Sequence, residues 1–246
     1  MPRPPRDLWV SVTVFAWIAV AATIDHNAGI WLQRSVGVAT WVLLIALLWG
    51  EPRRSRAQVA VVILVATALE YTASPGLGVY TYRLHNVPMY VPPGHGLVYL
   101  AALCIGRSVL AERYRKQFIY GVLLVCGAWA FWGLALAPRR DVLGAIMYLF
   151  LVRFLLVGRQ PLVYAGAFVV TSYLELVGTN LGAWTWAVHG PGGIIPQGNP
   201  PSGIPGGYCF LDAAGLALAP LLLLAFDRLP RGLWRSPPRP ALDESV

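Results

Sequence analysis

Phe118-Ile-Tyr-Gly-Val-Leu-Leu-Val-Cys126-Gly-Ala-Trp-Ala-Phe-Trp132-Gly-Leu-Ala-Leu-Ala137 contains no charged residue. Coiled at about 1.5 Å per residue, a helix of roughly 20 residues crosses the ~30 Å hydrocarbon core of a bilayer. The stretch is apolar on all faces, unlike a half-buried strand or a surface helix. Comparable blocks lie on both sides of it: Leu8–Ile24, Val36–Gly50, Ala57–Leu69, Leu97–Ile105, Val142–Val152, Pro161–Leu174 and Ala213–Phe226. Several are short alone, but each extends through neutral flanks toward spanning length. Inside lipid the backbone must satisfy its own hydrogen bonds, so non-alternating apolar blocks are read as helices.

Composition agrees. Only 12% of the chain is charged and 57% is hydrophobic, whereas a soluble domain carries about 25% charged residues. The net charge of +8 sits in short loops between apolar blocks. It forms no basic stripe interleaved with aromatics, which points to membrane topology and away from nucleic acid. Cys104, Cys126 and Cys209 are odd in number, lack CxxC spacing and fall in apolar segments, so neither a disulfide frame nor a zinc site is expected. Ala19-Val20-Ala21 has the look of a signal cleavage site, but the run before it is long for a signal core and is read as a helix.

Helices are expected at about 8–25, 35–50, 57–74, 95–111, 117–136, 141–158, 161–178 and 204–226. Fourteen Arg and Lys residues then fall at the N-terminus, the even loops and the tail, against four (Arg34, Arg83, Arg139 and Arg140) in the odd loops. That bias places both termini in the cytoplasm of a cell-membrane protein. The Pro- and Arg-rich stretch 230–246 is expected to be a disordered cytoplasmic tail.

Two of the outward loops resemble each other. Glu70-Tyr-Thr-Ala-Ser-Pro-Gly-Leu77-Gly78-Val-Tyr80-Thr81-Tyr82-Arg-Leu-His85 matches Glu175-Leu-Val-Gly-Thr-Asn180-Leu181-Gly182-Ala-Trp184-Thr185-Trp186-Ala-Val-His189 after one gap. Pro92-Pro93 follows the first copy and Pro200-Pro201 the second. The expected fold is therefore an all-α polytopic transmembrane bundle of about eight helices, built as two four-helix repeats, 1–113 and 114–229. An even number of helices per half gives the repeats one orientation.

Glu70 and Glu175 each stand about one turn before the outer end of an apolar helix. Ionisable groups at such depth are functional hypotheses by default, as general acids or proton carriers; the plain reading is a structural carboxylate bonded to the following loop. Asp212, some 12 Å into the last helix, is the third candidate for acid–base chemistry, and would pair with Glu175. Tyr80, Tyr82, Trp184 and Trp186 alternate along extended loop edges. With His85, His189 and Asn180 they are candidate substrate-binding groups framing a mouth to the acids, and an aromatic interfacial belt explains the rings equally well. Gly190–Gly207 is rich in Gly and Pro, so it is read as turns, either a lid or a rigid connection. His26, His85, His95 and His189 share one face without HxxxH or HExxH spacing, so they read as interfacial histidines and no metal or cofactor is expected. Nucleotide fingerprints, Asp-rich diphosphate motifs and a Gly-x-Ser-x-Gly elbow do not occur in the sequence.

The first motif is similar to that of membrane-bound carotenoid hydratases of the bisanhydrobacterioruberin hydratase type. The matching residues are Glu70, Gly78-Val79-Tyr80-Thr81-Tyr82, Val87-Pro88 and Pro92; Leu77 replaces a Phe, and a Trp expected at the next helix start is missing, with His95 nearby. The resemblance implies a polyisoprenoid-type lipid substrate and acid chemistry at a carbon–carbon double bond. The leading expectation is a cofactor-independent enzyme on a lipophilic substrate in the bilayer. A small proton-coupled permease and a non-catalytic membrane scaffold are the alternatives, and the oligomeric state is left open.

Overall fold

The computed structural model describes residues 4–228, so the stretch 230–246 lies outside the described residues. Nine α-helices occupy them: α1 Pro4–Asn27, α2 Ile30–Leu48, α3 Arg53–Tyr71, α4 Val91–Gly106, α5 Val109–Arg113, α6 Arg115–Ala135, α7 Val142–Val157, α8 Pro161–Asn180 and α9 Ile204–Arg228. The protein is all-α apart from two three-residue strands, β1 Tyr80–Tyr82 and β2 Trp184–Trp186. Six helices are long and apolar enough to cross a membrane, and α4 and α7 are shorter apolar helices. The chain is thus a multi-pass membrane protein by length and composition.

Four helices, α1 to α4, begin four or five residues before the expected positions. At α4 the cause is chemical: Pro92 and Pro93 fall in the first turn, where a missing N–H leaves no hydrogen bond unmade. Likewise α1 begins at Pro4. At α2, extended Gly29 serves as the N-cap and Arg34 lies within the helix, its guanidinium 4.9 Å above the Trp31 ring. The fifth helix is the addition to the expected eight. Its start is fixed by Ser108, whose side chain accepts a 3.1 Å bond from the Ala111 N–H. Past Tyr71 the α3 ladder widens into a π turn, Thr72–Gly76, that includes Pro75.

Nearly all of α4 is buried. It packs mainly on α8 and α3, while α9 packs on α3 and α7. Close approach of α4 and α8 depends on Gly166, since a Cβ there would come within 2.7 Å of the Ala102 carbonyl oxygen. Small residues let helix backbones meet where lipid supplies no hydrophobic drive. By contrast α6 leaves Leu124, Val125, Phe131 and Trp132 exposed, as befits a helix with one face in lipid.

One end of the bundle is fastened by charge. Arg107 donates to both oxygens of Asp7 (2.6 and 2.9 Å) and both of Glu51 (2.8 Å each), and Arg6 also pairs with Glu51. At the other end β1 and β2 form an antiparallel ribbon, pairing Tyr80 with Trp186, Thr81 with Thr185 and Tyr82 with Trp184.

Candidate active site

Side chains alternate across a strand. In the ribbon Thr81 and Thr185 face outward, while the four aromatics turn toward the helices. Each strand serves the acid of the helix before it. The Tyr80 and Tyr82 hydroxyls donate to Glu70 Oε2 at 2.8 and 2.7 Å. The Trp184 and Trp186 indole N–H groups donate to Glu175 Oε2, both at 3.0 Å. Glu70 and Glu175 are both buried. Burial, followed by the Glu70 carboxylate, pushes both tyrosine hydroxyls well above the ordinary phenol range, so they remain donors.

The second oxygen of Glu70 meets His95, whose Nε2 lies 2.9 Å from Oε1. His95 reaches it from the first turns of α4, and its ring stacks on Tyr208 of α9 with centroids 5.5 Å apart. The second oxygen of Glu175, Oε1, accepts no hydrogen bond from the described residues. Both acids and His95 reach one cavity of about 440 Å³, walled by groups such as Trp17, Leu97, Leu174 and Ile204. No Lys, Arg or Asp among the described residues lines it.

Loop tethers hold this arrangement in place. Asp141 Oδ1 accepts from the Gly144 and Gly198 N–H groups at 2.9 and 2.8 Å, and Oδ2 from the Ser202 N–H and hydroxyl at 2.6 and 2.7 Å. Buried Gln197 donates to the carbonyls of Val79 and Ala187 at 2.8 and 2.9 Å, tying the Gly/Pro loop to both sides of the ribbon. Arg139 donates to the Gln197 carbonyl at 2.6 Å and to those of Trp186 and Ala187.

Of the residues singled out in the sequence, Glu70, Glu175, Tyr80, Tyr82, Trp184 and Trp186 come together at the cavity. His85, His189 and Asn180 are exposed and do not line it. His85 adopts a left-handed backbone (φ 55°) in the turn after β1, and the Asn180 amide bonds back to the Leu176 carbonyl at 2.7 Å. Asp212 is buried one turn below Tyr208 but off the cavity wall, and its Oδ2 has no hydrogen-bond partner among the described residues. It forms no direct pair with Glu175.

Sequence reading missed His95 and Tyr208 as site residues. The available signal was their position just after a Pro-containing helix start, Val91-Pro92-Pro93-Gly94-His95 and Ile204-Pro205-Gly206-Gly207-Tyr208. Asp7, Glu51 and Cys104 also cluster, with ligand atoms within 4.8 Å of one another. Arg107 donates to all three, so the cluster is satisfied as an ion-pair knot. Comparison with known families, curated proteins and solved structures finds no match for this chain.

Proposed function

We propose that the protein is a membrane enzyme that takes an uncharged, polyisoprenoid-like lipid into the cavity and transforms it by acid–base chemistry between Glu175 and the Glu70–His95 pair. The observation that carries this reading is the makeup of the cavity wall: two carboxyl groups and one imidazole among mostly apolar and aromatic side chains, with no Lys, Arg or Asp among the described residues. A diphosphate or carboxylate head would be buried there without a counter-charge, which is costly. A hydrocarbon chain drawn from the bilayer enters without such a penalty, since it exchanges one apolar surrounding for another.

Glu175 is the acid in this reading. Its Oε2 accepts two indole N–H bonds and therefore acts as the carbonyl oxygen; the proton sits on Oε1, which has no partner among the described residues. Delivered to one carbon of a double bond, that proton forms a C–H bond with the π electrons and leaves a cation on the other carbon. The aromatic walls favour such a cation. Water adds through an oxygen lone pair, its proton passes to the Glu70–His95 pair, and return of a proton to Glu175 closes the cycle. Run backward, the same steps eliminate water.

In the same proposal residues 1–113 and 114–229 are duplicated four-helix units in one orientation. The matching helix starts at Val91 and Ile204 support this alignment, with α3 and α8 each supplying a glutamate. It sets Tyr99 opposite Asp212, where loop spacing alone pointed to Cys104. The excess of Arg and Lys places both termini in the cytoplasm and the ribbon at the outer face of the cell membrane.

The test is expression in a host accumulating a range of polyisoprenoids, with lipid extracts compared by mass spectrometry between wild type and Glu175→Gln at equal abundance. A water adduct or its elimination product made only by the wild type supports the enzyme. Identical extracts across that range would sink it, and flux measurements in vesicles would then separate a permease from a scaffold.

A further inference from the structure

Beside the cavity, the turn between α1 and α2 and the segment leading into α4 enclose a second group of polar side chains. Asp25 is completely buried. The Gln33 amide donates to Asp25 Oδ1 at 2.8 Å, and the Asn86 amide donates to Gln33 Oε1 at 2.8 Å. Arg83 Nη2 donates to the Ala28 carbonyl at 2.6 Å and lies 3.6 Å from Asp25 Oδ1. Four buried atoms remain without a hydrogen-bond partner among the described residues: Asp25 Oδ2, Arg83 Nε, Asn86 Oδ1 and the Tyr90 hydroxyl. Native interiors rarely leave such buried atoms unpaired.

The turn between α6 and α7 holds an acid in a similar relation to the loop before α9, and that acid keeps no bare oxygen, although Gln197 Oε1 in the same loop has no partner among the described residues. Both oxygens of Asp141 accept two bonds. A buried acid tethering a loop is not by itself left with a bare oxygen. Tyr90 joins the first cluster to the cavity, because it is part of the cavity wall while Asp25 acts electrostatically on its hydroxyl. Burial, then the Asp25 charge and a side-chain contact with Asp25 that falls short of a full hydrogen bond, pushes that hydroxyl well above its ordinary value, so it is a donor.

We infer that Asp25, Arg83, Asn86 and Tyr90 form a polar subsite at the edge of the cavity that binds a hydroxyl group, from water or from the alcohol end of a lipid. The chemistry selects the ligand class. Arg83 Nε–H and Tyr90 O–H offer donors, and Asp25 Oδ2 and Asn86 Oδ1 offer acceptors. A neutral group that both accepts and donates matches this set. An anion meets Asp25, and a cation meets Arg83. The alcohol source rests on the lipid reading of the cavity, whereas the water source does not.

Two measurements test it. The first is a structure resolving ordered water, of the protein alone and with geranylgeraniol. The second compares binding of geranylgeraniol with that of a hydrocarbon of equal length, in wild type, Tyr90→Phe and Asp25→Asn. Density bonded to Asp25 Oδ2 and the Tyr90 hydroxyl in the protein alone establishes the water-filled subsite. An alcohol oxygen in that position, with the alcohol binding about tenfold more tightly than the hydrocarbon and either variant erasing the difference, establishes the lipid source. The inference is overturned if the four atoms bond directly to one another with nothing between them. If neither lipid binds, the lipid reading of the cavity fails, and the density in the protein alone still decides the subsite.

Discussion

Replacing Asp141 by Asn removes one acceptor oxygen and turns an amide N–H toward a backbone donor. In the wild type each oxygen takes two bonds, from Gly144 and Gly198 on one side and from the Ser202 N–H and hydroxyl on the other. With the remaining oxygen kept toward the glycines, the Ser202 hydroxyl can rotate to accept, but its backbone N–H is left facing an N–H. Loss of a charge-assisted bond is worth about 1.5–3 kcal/mol, and a stranded buried donor about 1–3 kcal/mol. Taken together these give roughly 4 kcal/mol, which for a chain of this size lowers the melting temperature by about 10 °C. The buried thiols of Cys104, Cys126 and Cys209 report the transition when a fluorogenic maleimide is present during heating in detergent micelles. Cys126 is well placed as a reporter, since its sulfur lies 3.7 Å from the Ser202 carbonyl. Melting of Asp141→Asn within about 2 °C of wild type would refute the idea that this carboxylate holds the loop. Asp141→Ala, which strands all four donors, should melt lower still.

A Cβ at Gly178 would overlap the Trp184 indole, so Gly178→Ala should cost about 1–3 kcal/mol and shift the ring away from Glu175; an unchanged melting temperature and tryptophan emission would count against that packing. Glu51 lies in the turn between α2 and α3. Burial opposes its charge, yet hydrogen bonds from Arg107 and then Arg6 hold the carboxyl down at about 2. With the folded value below the unfolded one, near 4.5, its contribution is complete above the unfolded value and is lost as pH falls toward 2. Melting temperature should therefore drop steeply over that window in wild type and less steeply in Glu51→Gln, which starts lower; parallel curves would contradict the linkage.

The spans were legible because lipid imposes a local requirement: a long uncharged run such as Phe118–Ala137 has few alternatives to a helix. Boundaries were less so. Pro92 and Pro93 read as loop residues, yet a first helical turn accepts proline, and hydropathy alone does not make that distinction. Glu70 and Glu175 stood out as acids in apolar helices, and the alternation in Tyr-Thr-Tyr and Trp-Thr-Trp marked extended edges. What stayed hidden was which groups meet across distance. His95 lies 25 residues from Glu70 and Ser202 lies 61 residues from Asp141, and no periodicity links either pair. Asp212 was placed with Glu175 on depth alone, but depth does not fix which way a helix face points.

The ribbon makes the two acids share a fate. Strand residues two apart face the same side, so a slip of one residue in either strand would exchange inward and outward positions. Thr81 or Thr185 would then turn inward, and both donors to one glutamate would be lost at once. Parting the strands would act on both glutamates together. A single short pairing thus works as an interlock: the hydrogen bonding of the two glutamates cannot be adjusted separately by moving this segment, and any opening at that end of the bundle resets both.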